Sequence, residues 1–376
     1  MFTVADEAEF FRILSGHSQE GMLIADGRNK ILWVNPAFCQ ITGYAEAELV
    51  GKSPNVLKSG RHHADFYLEM WKSLAETGYW KGEIWNRRKN GDVYPESLSI
   101  CTLSDARGKV QYYTAQISDL TQLKNYQKTM EAELNLARRI QQKLLPEKTP
   151  YRPELKIAAY YQPMQAVGGD FYDFIEFPDT DCLGIFISDS SGHGVPAAFI
   201  TSMVKSVLEN SFTAHFFPGH LLKTINEKLL GKTDDGFLTA FYGLLNYHNG
   251  KFIFARGGHP YPILIRDGEI SELQSSGSLL GMMEDVGVEE AEVELKRGDK
   301  LLLFTDGLLE TTNPQGIEFE DEFQKILVEY KHLSVDLLLE VIKERLNEFS
   351  RKDSFDDDVC LIFLELTESG KSAEHL

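Results

Sequence analysis

Residues 165–174 read QAVGGDFYDF: two glycines, one aspartate, then aromatic and acidic residues in alternation. After Asp170 the alternation has the two-residue period of a strand with unlike faces. Gly168 and Gly169 ahead of it mark a loop where backbone can pass close to a neighbour. A carboxylate at the mouth of a strand, presented by a glycine turn, suits a ligand for a hard divalent cation. A nucleotide cyclase and a phosphatase could both use such a loop, so the remaining sequence has to decide between them.

Working outward, three more acids share this setting. Asp189 closes the apolar run GIFISD ahead of SSGHG, Asp306 closes LLLFTDG, and Asp357 lies in FDDDVCLI before the last apolar run. Asp356 and Asp358 compete with Asp357, and spacing to the strand favours Asp357. Carboxylates brought together from four segments repel one another unless a cation compensates them. Taken singly, each is an ordinary solvated turn residue. His193, His259 and the pair His62-His63 likewise read as surface or turn histidines rather than ligands.

The apolar strands of this half are LKIAAYYQ, CLGIFISD, FLTAFYGLLNY, KFIFAR, YPILIR, KLLLFTD and VCLIFLEL. Helical stretches follow Pro196 and cover residues 221–230 and 335–349. This pattern predicts sheets packed face to face under helices, an α+β layered domain. Residues 21–119 form a smaller α+β unit, with short strands (GMLIAD, KILWVN), short helices, then longer strands (WKGEIWNRR, VYPESLSICTL, VQYYTAQISDL) separated by Asn90-Gly91 and Arg107-Gly108 turns. Between the two lies LTQLKNYQKTMEAELNLARRIQQKLLP, without glycine or proline until Pro146, which predicts a helix. Leu123, Met130, Leu134, Ala137 and Leu144 recur at threes and fours if Gln127 and Gln141 are polar interruptions. That series suits a helix packed on its own domain or a two-stranded coiled coil.

Four motifs, VGGDFYDF, SDSSGHGVPAAFI, FTDGLLETTN and DDDVCLIF, in this order and at these separations, resemble those of the metal-dependent PPM (PP2C-type) serine/threonine phosphatases. The likeness is to their bacterial branch of sporulation and stress-response enzymes. It spans residues 133–366, including the ARRIQQKLLP lead-in and FARGGHPYPILI. The first half resembles a PAS sensor domain, through VNPAFCQITGYAEAELVGKSP, LKSGRHHADFYLEMW and GYWKGEIWNRRKNGDVYPESLSI. Together the resemblances imply a PAS domain with an antiparallel sheet and helices at 10–120, a helical, coiled-coil-like linker at 121–150 and a PPM-type α-β-β-α sandwich at 151–368.

They also imply function. Asp170, Asp189, Asp306 and Asp357 would be the catalytic acids and hold two Mn2+ or Mg2+ ions, Asp189 bridging, with the Ser190 backbone carbonyl as a further ligand. Ser190 stands where valine is frequent and Cys360 where threonine is. The D-S-S-G-H-G spacing departs from the D-G-H-G of eukaryotic members, so His193 is expected to shape the turn more than to donate a proton. The implied substrate is a phosphorylated, STAS-type anti-sigma-factor antagonist in a partner-switching stress or developmental pathway. The PAS half would regulate the enzyme through a homodimeric linker helix.

Two alternatives stand beside this reading. A PAS-linked diguanylate cyclase shares Gly-Gly-Asp, but Phe171-Tyr172 replaces Glu-Phe, the upstream D-x-D-x-F-K segment is missing, and Asp306 and Asp357 would have no role. An inactive phosphatase-like binding module would be expected to have lost one of the four acids.

The composition fits these expectations. With 376 residues the chain exceeds one ordinary core, and 38 basic against 57 acidic residues give a net charge of -19, which disfavours nucleic acid and anionic membranes as partners. The N-terminus lacks the basic start of a signal peptide and no apolar run reaches membrane-spanning length, so a cytoplasmic protein is expected. Cys39, Cys101, Cys182 and Cys360 are scattered and read as small buried residues. In the PAS half, Phe66, Trp80, Trp85 and Tyr94 read as core, with Asn86 and Glu96 as polar contacts. A flavin, haem, metabolite or no ligand all remain open there; the context of Cys39 does not support a photoreactive flavin adduct.

Overall fold

The computed structural model describes residues 4–192, 194–234, 236–352 and 355–367. The chain divides into two compact units, residues 1–132 and 133–376.

The first unit runs α1 (Val4–His17), β1 (Gly21–Asp26), β2 (Ile31–Val34), α2 (Pro36–Thr42), α3 (Glu46–Leu49), α4 (Ala64–Thr77), β3 (Tyr79–Arg87), β4 (Val93–Ser104) and β5 (Val110–Asp119). The strands form one antiparallel sheet in the order β2-β1-β5-β4-β3. Along β1 alternate residues are buried, and Leu23 and Ala25 join Ile31, Phe38, Leu49 and Ile117 in the core. Asn35, fully buried, starts α2: its side-chain oxygen accepts from the backbone N–H of Phe38 and of Met22, and its amide donates to the carbonyls of Ser15 and Glu20.

Of the four expected core aromatics only Tyr94 is buried; Phe66, Trp80 and Trp85 are half-exposed. Amphipathic rings can cover strand edges while remaining partly wet. Phe66 packs between His62 and Trp80, and Arg61 lies over Trp85. The unit encloses a cavity of about 70 Å³ lined by Leu57, Trp71, Asn86, Glu96 and Leu98, among others. Only Cys360 of the four cysteines is buried, and Cys101 is exposed.

Helix α5 (Thr121–Gln142) follows, rich in good helix formers. Leu123, Tyr126, Met130, Leu136 and Ile140 are exposed on it.

The second unit contains β6 (Leu155–Gln162), β7 (Phe171–Glu176), β8 (Cys182–Ser190), α6 (Val195–Asn210), α7 (Pro218–Leu229), β9 (Leu238–Asn246), β10 (Lys251–Gly257), β11 (Ile263–Arg266), β12 (Glu269–Glu272), β13 (Glu290–Glu294), β14 (Lys300–Phe304), α8 (Gly307–Glu310), α9 (Glu320–Tyr330), α10 (Val335–Ser350) and β15 (Val359–Leu366). Two five-stranded antiparallel sheets result, β13-β10-β9-β8-β7 and β12-β11-β14-β15-β6.

Their central strands are apolar on both faces, and the two-residue period sorts side chains into layers. Ile185 and Ile187 of one sheet meet Leu301, Leu303, Ile362 and Leu364 of the other between the sheets. The intervening Phe186 turns out toward Val204, Leu221 and Ile225 of α6 and α7. Leu302, Leu361 and Phe363 turn out toward Phe323, Leu338 and Ile342 of α9 and α10. The unit is therefore an α-β-β-α sandwich, and the whole chain is α+β.

Candidate active site

At one end of this sandwich four segments deliver acids. Asp170 precedes β7, Asp189 is the penultimate residue of β8, Asp306 follows β14 at the start of α8, and Asp357 lies just before β15. By alternation with Ile185 and Ile187, the Asp189 side chain faces the space between the sheets.

Asp170 is buried, and the Thr305 hydroxyl donates to its Oδ2 at 2.6 Å. Thr305 is in turn fixed by the Cys360 backbone N–H, which donates to its Oγ1 at 2.9 Å. Burial and then the charges of Asp189 and Asp358 push the Asp170 carboxyl well above the usual range, against the effect of Thr305. Asp189 is pushed up to about 8, by burial first, then by Asp306, Asp357, Asp358 and Glu310. Asp306 is raised by burial. Glu310 is raised by burial and then by Asp306, Asp357 and Glu318.

Asp189 therefore lies close enough to Asp306 and Asp357, and Asp170 close enough to Asp189, for their charges to be felt. Among the described residues, however, no three His, Cys, Asp or Glu side chains already converge on one metal position. The donor set itself consists of hard oxygen ligands, which fits magnesium or manganese.

The three adjacent acids before β15 have separate fates. Asp356 is exposed and pairs with Lys352 and Thr312. Asp357 is half-buried and its charge acts on Asp189 and Glu310. Asp358 is buried and accepts from backbone: Met164 N–H at 2.6 Å, Gly169 N–H, and Asp170 N–H at 3.4 Å. It thus clamps the glycine loop that presents Asp170. A methyl group at Gly168 would strike Asp358 and the Tyr161 hydroxyl, and one at Gly169 would meet Ser190 Oγ at 2.7 Å. The Ser190 hydroxyl donates to the Gly169 carbonyl at 3.2 Å. Gly307 must also lack a side chain, since a methyl there would collide with the Asp358 carbonyl.

Two polar residues carry roles that their sequence context conceals. Gln141, expected as a polar break in a helical seam, is buried, and its amide donates to the Gly168 carbonyl at 2.6 Å while its oxygen accepts from the Gly168 N–H at 3.0 Å. The end of α5 is thereby fastened to the loop two residues before Asp170. The only signal in sequence was a glutamine where the heptad wants an apolar residue. His259, expected at the surface, is buried and hydrogen-bonded to Thr239. His193 lies outside the described residues.

A two-sheet sandwich under helices, with aspartates from separate segments meeting at one end, defines the PP2C class of protein phosphatases. Residues 179–367 match the family described as stage II sporulation protein E (SpoIIE), and the chain belongs to that family. Residues 19–122 match the PAS domain family. The chain is similar to phosphoserine phosphatase RsbU of Bacillus subtilis (strain 168), 28% identical over 239 residues, covering 62% of this chain and 71% of RsbU. Its PAS half is similar to the nitrogen fixation regulatory protein of Klebsiella oxytoca, 33% identical over 119 residues, covering 30% of this chain but only 24% of that protein. Among solved structures, the SiaA-PP2C domain of Pseudomonas aeruginosa matches with a TM-score of 0.56 and 23% identity, covering 64% of this chain and 98% of that one, a likeness of fold. Fold and family together make the chain an enzyme of the protein-phosphatase class and remove the diguanylate cyclase alternative.

Proposed function

We propose that this chain is a signal-responsive, divalent-metal-dependent phosphatase for phosphoserine or phosphothreonine in a phosphorylated, STAS-type anti-sigma-factor antagonist. The observation that supports this chemistry is the delivery of Asp170, Asp189, Asp306 and Asp357 from four segments to one end of the sandwich, where the Asp189 charge raises Asp170 and those of Asp306 and Asp357 raise Asp189. Similarity to RsbU, named a phosphoserine phosphatase, supports phosphoserine as the target. Asp170, Asp189, Asp306 and Asp357, with the Ser190 carbonyl, would hold two Mn2+ or Mg2+ ions. Such a pair supplies a water of lowered pKa and neutralises phosphoryl oxygens.

The chain's own residues do the holding. Thr305 orients Asp170, Asp358 and Gln141 fix the loop that carries it, and Gly307 lets the Asp306 turn close against the Asp358 backbone. All four acids are present, which favours an active enzyme over a binding module that only sequesters its partner. No helix among the described residues is long and apolar enough to cross a membrane, which is compatible with action in the cytoplasm. The exposed apolar residues of α5, Leu123, Met130, Leu136 and Ile140 among them, support a homodimer through this helix.

The test is hydrolysis of a phosphoserine peptide and of a phosphorylated STAS-domain protein with and without MnCl2. Activity is expected to vanish in EDTA and in Asp170→Asn and Asp306→Asn. Full activity in EDTA would overturn the metal-dependent reading. Light scattering of the full chain and of Leu136→Asp addresses the dimer: a parent protein that is monomeric at micromolar concentration would exclude it.

A further inference from the structure

Among the buried polar side chains that this reading leaves unused is His259. His259 follows β10, is 1% exposed, and shares a 2.9 Å hydrogen bond between its Nδ1 and Thr239 Oγ1. Thr239 lies directly across from Asp189 in the β8–β9 register. Opposed residues of an antiparallel pair present their side chains on one face. Phe241 and Leu245, in alternation with Thr239, lie in the core between the sheets, so Thr239 and Asp189 both face that space. His259 is therefore attached to the strand face that carries an acid of the site.

The ring is held neutral. Burial lowers its pKa to about 3, the nearby Arg256 guanidinium adds to this, and only the Phe304 backbone favours a proton on it. Arg256 also donates to the His259 carbonyl at 2.7 Å, which fixes the backbone of the turn. Nε2 is buried and has no hydrogen-bond partner. In the tautomer with hydrogen on Nε2, Thr239 Oγ1 donates to Nδ1. Phe304 ends β14, and the next two residues are Thr305, which donates to Asp170, and Asp306.

We propose that His259 is a positioning residue for the acid cluster, holding from the turn after β10 the side chain of Thr239, which lies opposite Asp189 in the β8–β9 register. The inference rests on the reading of these acids as the metal centre. Its consequence is that the β8–β9 strand face that carries Asp189 keeps its place through this imidazole.

The test uses the full chain and titrates MnCl2, reading the melting temperature of the phosphatase unit and, separately, kcat and KM for a phosphoserine peptide. Thr239→Val removes only the hydroxyl, and His259→Leu removes both polar functions while filling the space. Each is expected to raise the MnCl2 midpoint about ten-fold or more, as loss of groups that orient metal ligands does. KM for the peptide should hold and kcat should recover at saturating metal. His259→Asn, which can still bond Thr239, should restore part of the midpoint, and Thr239→Val with His259→Leu should be no weaker than the worse single variant. If His259→Leu does not fold, Thr239→Val and His259→Asn carry the comparison. Midpoints equal to the parent's in those variants, whatever their melting temperatures, overturn the role of His259. A parent protein that shows neither a manganese-dependent melting shift nor manganese activation overturns the metal centre itself, so the two failures are distinct.

Discussion

Replacing Asp358 by asparagine separates the acid that holds the loop from the acids that face one another across the site. Asp358 accepts from Met164 N–H at 2.6 Å, from Gly169 N–H and weakly from Asp170 N–H at 3.4 Å. In Asp358→Asn one side-chain oxygen can still serve Met164, while the amide NH2 replaces the oxygen that serves Gly169 and sets donor against donor. Leaving a buried backbone N–H without its charged acceptor costs about 1–3 kcal/mol. Removing one negative charge beside Asp170 and Asp189 offsets part of this in metal-free protein, so a net loss of about 2 kcal/mol is expected. For a unit of this size that is a fall of roughly 4–8 °C in melting temperature. Asp357→Asn should behave oppositely. Its Oδ1 can still accept from the Asp358 N–H, at 2.7 Å in the parent, and a charge that raises Asp189 is gone, so stability should hold or rise while turnover is lost. Calorimetry in EDTA is the assay. All four tryptophans lie between residues 33 and 85, so tryptophan fluorescence identifies the transition of the first unit as an internal control. A melting temperature unchanged in Asp358→Asn, or lowered more in Asp357→Asn than in Asp358→Asn, would refute the division of labour.

Further outcomes follow from other contacts. Gln141→Leu leaves the Gly168 N–H and carbonyl unpaired in a buried position, a loss of roughly 2 kcal/mol, and kcat should drop through the Asp170 loop; a kcat equal to the parent's would show that the end of α5 is only packing. Gly307→Ala drives a methyl group into the Asp358 carbonyl and should abolish both activity and the native melting transition, checked by phosphatase assay and circular dichroism. Glu96 in the PAS unit is pushed from 4.5 to about 7 by burial, against its bonds from Tyr94 and Asn86. The folded form then holds its proton more tightly than the unfolded chain. Its stabilisation is complete below the unfolded value and lost as pH rises through the folded one, up to about 3 kcal/mol between pH 4.5 and 7. Urea unfolding followed by tryptophan fluorescence should therefore show lower stability at pH 8 than at pH 5.5, and Glu96→Gln should flatten the difference; an identical slope in the variant would assign it elsewhere.

Much of the architecture was legible because burial imposes a period. Runs such as FLTAFYGLLN and VCLIFLEL are apolar throughout, which requires a strand covered on both faces, and the helices between them appear as separate amphipathic stretches. The placement of Asp170, Asp189 and Asp306 at strand ends could be read in the same way, since an apolar run that stops at an acid and a glycine marks where the sheet meets solvent. Local sequence did not reveal that Gln141 lies buried against Gly168, or that His259 is buried and tied to the strand opposite Asp189. A glutamine in a helix and a histidine in a glycine turn look the same whether solvent or another segment lies beside them.

The sequence by itself determined the layers, the order of the strands along the chain and the supply of carboxylates, because these depend on hydrophobic period and on turn chemistry that act within a few residues. Tertiary structure alone decided what each acid does. Asp356, Asp357 and Asp358 are chemically identical neighbours, and nothing local tells them apart. The pairing of β15 with β6 and β14 fixes what each one meets: Asp356 pairs with Lys352, the Asp357 charge acts on Asp189, and Asp358 accepts from the backbone of a loop 189 residues away in sequence. Their roles differ because burial and partners differ, and those come from segments distant in the chain.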